Sequence, residues 1–155
     1  MPGEGGAGAP VDAEAILAHV VEASGLHLDG ARLCQVEPDA AGSVVRGYEV
    51  AWSGPAGTGT DVLYLQPADD EPADGTALVV EDPASGRRQR VWRYPDDPAL
   101  PALTAVVHSD AAAVVLARLG VPGGEPDLEL MSYRPGRRAV VRVRTGERTT
   151  YLKVV

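Results

Sequence analysis

Lys153, the only lysine in the chain, and the arginines of Tyr133-Arg134-Pro135-Gly136-Arg137-Arg138 are the residues whose types and spacing could do chemistry. A guanidinium offers a planar fork of donors and an ammonium a compact point charge, and both suit phosphate oxygens. Pro135-Gly136 favours a type II turn, because proline presets the first central position and glycine accepts a positive φ at the second. Strands at 128–133 and 138–144 then pair. A second turn at Thr145-Gly146-Glu147 returns the chain as a third strand over 149–155, with Thr149, Tyr151, Lys153 and Val155 on one face. On this reading residues 134–138 lie over nucleotide phosphates while the Lys153 amine adds a charge to them. The competing reading is an ordinary arginine-rich hairpin with a solvated strand lysine.

Other candidates carry less. Gly54-Pro55-Ala56-Gly57-Thr58-Gly59-Thr60 is glycine-rich, but it lacks a Gly-Lys-Ser/Thr ending and leads into a β-like run, so it reads as a hairpin loop. His19, His27 and His108 show no metal-ligand spacing, and no metal site is assigned. Cys34 has no base beside it and is expected to be a buried small hydrophobe. Asp69-Asp70-Glu71 and Asp96-Asp97 read as solvated acidic loops. His27-Leu28-Asp29 matches His-x-Asp, but five residues after Asp29 stands Cys34, and the match is read as coincidence.

The elements that must position the C-terminal residues begin after a Gly- and Pro-rich segment at 1–10, expected as a flexible tail. Ile16, Leu17, Val20 and Val21 recur at helical spacing, so 12–24 is predicted as an amphipathic helix capped by Asp12. β-like runs follow at 43–53, 60–66, 77–81 and 87–94, separated by turn residues, and an antiparallel meander is expected. In the last run both sides mix polar and apolar residues, which predicts an exposed or edge strand. After Pro95-Asp96-Asp97-Pro98, a short helix is expected over 100–107. A second helix follows, capped by Ser109 or Asp110, with Val114, Val115, Leu116 and Leu119 apolar and Gly120 as its stop.

The 155 residues are 45% hydrophobic, enough for one domain or two small ones. Thirteen of the fourteen basic residues are arginine. The net charge of −8 disfavours nucleic acid or an anionic membrane surface as the main partner. The charge is uneven: residues 1–125 carry 7 basic and 19 acidic groups, whereas residues 126–155 carry 7 basic and 3 acidic groups. A local anion site at the C-terminal end fits that imbalance. One cysteine allows no internal disulfide, no apolar stretch approaches the ~20 residues of a membrane-spanning helix, and a cytoplasmic protein is expected.

Val91-Trp92-Arg93-Tyr94-Pro95, Asp97-Pro98-Ala99-Leu100-Pro101, Tyr133-Arg134-Pro135-Gly136-Arg137-Arg138-Ala139-Val140 and Tyr151-Leu152-Lys153-Val154-Val155 together resemble bacterial aminoglycoside-phosphotransferase-like kinases with an extra N-terminal cap. The resemblance implies an α+β chain: a cap-like module at 11–98, a helical connector at 99–124, and the first three antiparallel strands of a protein-kinase-like N-lobe from 125. It implies ATP with Mg²⁺ as cofactor and a small polar substrate. It makes Lys153 the strand lysine that contacts the phosphates, and Arg134, Gly136, Arg137 and Arg138 the loop over them. The loop departs from the several-glycine eukaryotic pattern by having one glycine. The family's His-x-Asp-x-x-x-x-Asn loop and metal-binding aspartate have no counterpart after Lys153, and the chain contains no asparagine, so no phosphorylation by these residues alone is expected. Exposed C-terminal strand edges are expected to promote association. A non-catalytic protein-interaction or ligand-binding module is the alternative.

Overall fold

The computed structural model describes residues 11–39, 42–69, 78–121 and 123–155; the expected tail at 1–10 and the acidic residues Asp70 and Glu71 lie outside them. The chain is α+β and divides into two compact units, one of residues 1–36 and 44–91, the other of residues 37–43 and 92–155.

The first unit opens with α1 (Ala13–Ala23). The Asp12 side chain accepts a hydrogen bond from the Ala15 N–H at 3.0 Å, as an N-cap does, so the predicted cap is present. The helix ends in a Schellman arrangement. Gly25 takes a φ of +78°, Gly25 N–H donates to Glu22 and Leu26 N–H to Val21. Ile16, Leu17 and Val21 face a sheet of β1 (His27–Pro38), β2 (Val44–Gly54), β3 (Gly57–Pro67), β4 (Leu78–Glu81) and β5 (Arg88–Arg93), arranged β1-β2-β3-β5-β4. They pack with Val50, Leu63, Leu65, Val80 and Val91 into one core. Burying a side chain of this size is worth roughly 1.5–3 kcal/mol.

The strand order corrects two expectations: the strands do not follow one another across the sheet as a meander, because β5 and not β4 lies beside β3, and the last run is not an edge. β5 lies between β3 and β4, so it is not an edge, and Gln89, Val91 and Trp92 are buried along it. Its mixed polarity misled because a glutamine occupies a core-side position. Besides β4, the sheet's other edge is β1, which the sequence reading passed over. Cys34 lies on it exposed, with its Sγ donating to the Gly47 carbonyl oxygen at 3.4 Å, and is not the buried hydrophobe expected.

In the second unit, α2 (Leu103–Val107) and α3 (Ser109–Arg118) cover one face of a three-stranded antiparallel sheet, β6 (Asp127–Arg134), β7 (Arg138–Thr145) and β8 (Arg148–Val154). Residues 99–124 therefore share a core with the C-terminal strands: Leu100, Leu103, Val106 and Leu116 with Ala139, Val141, Val143 and Val154. No side chain caps α3, whose N-cap position is His108 and not Ser109 or Asp110. Of its expected apolar residues, Leu116 is buried while Val114 and Leu119 stay more than half exposed. Gly120, with φ +73°, ends the helix as expected. Among the described residues no helix is long and apolar enough to cross a membrane.

Candidate functional site

The predicted hairpin and third strand are present. Arg137 N–H donates to the Arg134 carbonyl at 3.0 Å, and Gly136 has φ +70° at the second central position, matching a type II turn. In β7 the buried residues Ala139, Val141, Val143 and Thr145 alternate with Arg138, Val140, Arg142 and Arg144, which face away from the helices. Directly paired residues share a face. Lys153 pairs with Val140, Tyr151 with Arg142 and Thr149 with Arg144, so these too lie on the outward face, and Lys153 is exposed there.

Strand β6 reaches this face through a bulge. Leu130 pairs with Val141 and Ser132 with Val140, leaving Met131 as an extra residue. Beyond it, Tyr133 pairs with buried Ala139 on the core side and Arg134 pairs with Arg138 on the outward side. Without the bulge, simple alternation from Leu128 and Leu130 would turn Tyr133 outward.

The outward face is basic. Lys153 has Arg138 and Arg142 as its diagonal neighbours on β7, at the ~7–8 Å such positions have in a sheet. Arg142 is paired with Glu129 on β6. Arg134 is also spoken for, donating to Glu37 at 3.4 Å within the same unit. Arg137, Arg138, Arg144 and Lys153 make no ion pair or hydrogen bond with another side chain among the described residues, so their charge faces solvent. Of the residues that the sequence put over an anion, Arg137, Arg138 and Lys153 are available to one, and Arg134 is committed elsewhere.

The residue that sequence reasoning missed is Asp97, which it placed in a solvated loop. Asp97 is only 2% exposed. Its Oδ2 accepts from the Tyr133 hydroxyl and from the Gly136 N–H, each at 2.7 Å, and its Oδ1 accepts from the Ala99 N–H at 2.9 Å. The Tyr133 hydroxyl in turn accepts from the Trp92 indole N–H at 3.2 Å, and its ring centroid lies 5.2 Å from that of Tyr94. Burial pushes the Tyr94 phenol above its ordinary pKa. A buried carboxylate is costly to desolvate unless its lone pairs are met, and here three donors meet them. The available signal was Asp-Pro at a composition break, but the partner glycine lies 39 residues away.

The cationic side chains suit the phosphates of ATP. Mg²⁺ finds no comparable set: among the described residues no group of three or more His, Cys, Asp or Glu side chains is gathered around one point. His27 Nε2 stands 3.8 Å from Asp29 Oδ1 at the exposed start of β1, with no third ligand.

No protein-family model matches the chain, and no match was found among characterised proteins or solved structures.

Proposed function

We propose that these residues are the cap and nucleotide-lobe part of an ATP-dependent small-molecule phosphotransferase, with Lys153, Arg137 and Arg138 contacting the phosphates. The observation that carries the reading is the place of Lys153: exposed on a strand, on the sheet face turned away from the helices, with basic residues on the neighbouring strand. A triphosphate gains charge-assisted hydrogen bonds on such a face, each worth about 1.5–3 kcal/mol. Mg²⁺ would arrive with the phosphates, since they supply the oxygen ligands that the protein face lacks. The acidic first unit suits a cationic or polyhydroxylated substrate. The base and metal-binding aspartate of the family are absent from these residues, so they bind nucleotide without turning it over.

Calorimetric titration with ATP and Mg²⁺ tests the reading. Binding should weaken about tenfold or more in Lys153→Ala, in line with the loss of one charge-assisted contact. Binding that ignores this substitution, or no binding at all, removes the assignment.

A second reading has its own observation. Strand β1 is an open edge carrying Leu33 at 49% and Val36 at 54% exposure, which suits a protein partner that adds a strand to the first unit. No nucleotide binding combined with saturable binding of an extended peptide would favour that module.

A further inference from the structure

The bend residues 135–137 have no backbone amide left for a ligand. Pro135 has no N–H. The Arg137 N–H is used within the turn by the Arg134 carbonyl, and the Gly136 N–H is held by Asp97 at 2.7 Å. Loops that cradle phosphates do so with free backbone N–H groups. This hairpin turn offers a ligand only its side chains.

We infer that Asp97 is the positioning residue of the bend, fixing it before any ligand arrives so that anions are met by the Arg137 and Arg138 guanidiniums and not by the main chain. The inference rests on the phosphate-binding reading above for the identity of the ligand, while the anchoring itself does not. Both Asp97 oxygens face donors, two on Oδ2 and one on Oδ1. Asparagine replaces it only in part: one setting of its amide keeps the Gly136 and Tyr133 bonds and turns the NH₂ at the Ala99 N–H, and the other turns the NH₂ at the Gly136 N–H. The anchor also explains how a single glycine suffices, since no ligand oxygen has to approach the backbone closely. Guanidinium forks select ligands with at least two coplanar anionic oxygens, such as a terminal phosphate.

Amide exchange by ¹H–¹⁵N NMR on the full 155-residue chain tests the anchor without ligand. The Gly136 amide should exchange at least about tenfold more slowly than an exposed loop amide, and Asp97→Ala, which removes both acceptor oxygens, should abolish the difference. Free exchange of Gly136 in the unsubstituted protein would overturn the inference, and that measurement stands even if the variant does not fold. Tyr133→Phe, which leaves the Asp97 to Gly136 bond in place, should keep the protection; its loss there would also overturn the inference. With ATP and Mg²⁺ added, the arginine side-chain Nε–H signals of Arg137 and Arg138 should move while the Gly136 amide stays put. A Gly136 amide that shifts as a phosphate donor does would overturn the inference. Asp97→Ala should weaken nucleotide binding about tenfold while Asp82→Ala, at the other buried turn aspartate, leaves it unchanged; equal loss in both would overturn the positioning role of Asp97. If no nucleotide binds, the phosphotransferase reading falls, and the exchange experiment alone decides the anchor.

Discussion

The hairpins β2–β3 and β6–β7 each reverse on a turn with proline at its first central position, yet they are held in different ways. In β2–β3, Gly54 pairs with Gly57 across Pro55-Ala56, and the support comes from the strands themselves. Trp52 pairs with Gly59, where a Cβ would come within 2.3 Å of its ring, and Tyr64 pairs with Gly47, where one would come within 2.7 Å. The turn of β6–β7 has open space around Gly136 and is held from outside by Asp97. Neighbouring residues thus specify the first hairpin, while the second depends on a carboxylate from a distant segment. A loop held from a distance can keep its shape while the side chains it displays are free to serve a ligand.

Four measurements sharpen or break this contrast. The largest effect should come from Leu103→Ala, which empties the core beneath the β6–β7 sheet and should cost about 2–5 kcal/mol in urea unfolding. Should the Gly136 amide keep its protection at urea concentrations that unfold this variant, the second hairpin does not depend on distant support. Gly59→Val should follow at about 1–3 kcal/mol, with altered tryptophan fluorescence, because the ring of Trp52 has to move. Gly136→Ala meets no neighbour and should cost only the strain of a positive φ, about 1–2 kcal/mol by thermal melting. A larger loss at Gly136 than at Gly59 would reverse the contrast.

The finest test is acid titration of the turn aspartate in the first unit. The Ser85 hydroxyl, followed by the Ala84 and Asp12 N–H groups, holds the Asp82 carboxyl below its ordinary pKa against the opposing effect of burial. A depressed carboxylate stabilises the fold fully above its unfolded value, near 3.8, and that stability is lost as pH falls through the lower folded value. Asp82→Asn should therefore flatten the dependence of melting temperature on pH below about 4. An unchanged slope would show that this carboxylate is not held by its turn.

Much of this architecture is legible in sequence where the controlling forces are local. Asp12, the spacing of Ile16, Leu17 and Val21, the Pro135-Gly136 turn and the strand position of Lys153 all follow from residues within a few positions of one another. Strand β1 is missed because Asp29-Gly30-Ala31-Arg32 breaks any alternation, and an edge strand exposed on both faces does not need one. The central place of β5 is hidden by Gln89, a polar residue at a buried position. Asp97 is illegible for a different reason: acidic loops are ordinarily solvated, and only the folded chain brings Tyr133 and Gly136 to this one. The site was thus half readable, in its cations but not in what orders them.

The bulge at Met131 means that β6 has a rival alignment one residue out of step, in which Met131 takes a partner, Ser132 turns inward and Tyr133 is expelled to the other surface. Only the observed alignment presents a phenol to the waiting carboxylate. Asp97 thereby favours the observed strand pairing, because only in that alignment does its Oδ2 receive the Tyr133 hydroxyl.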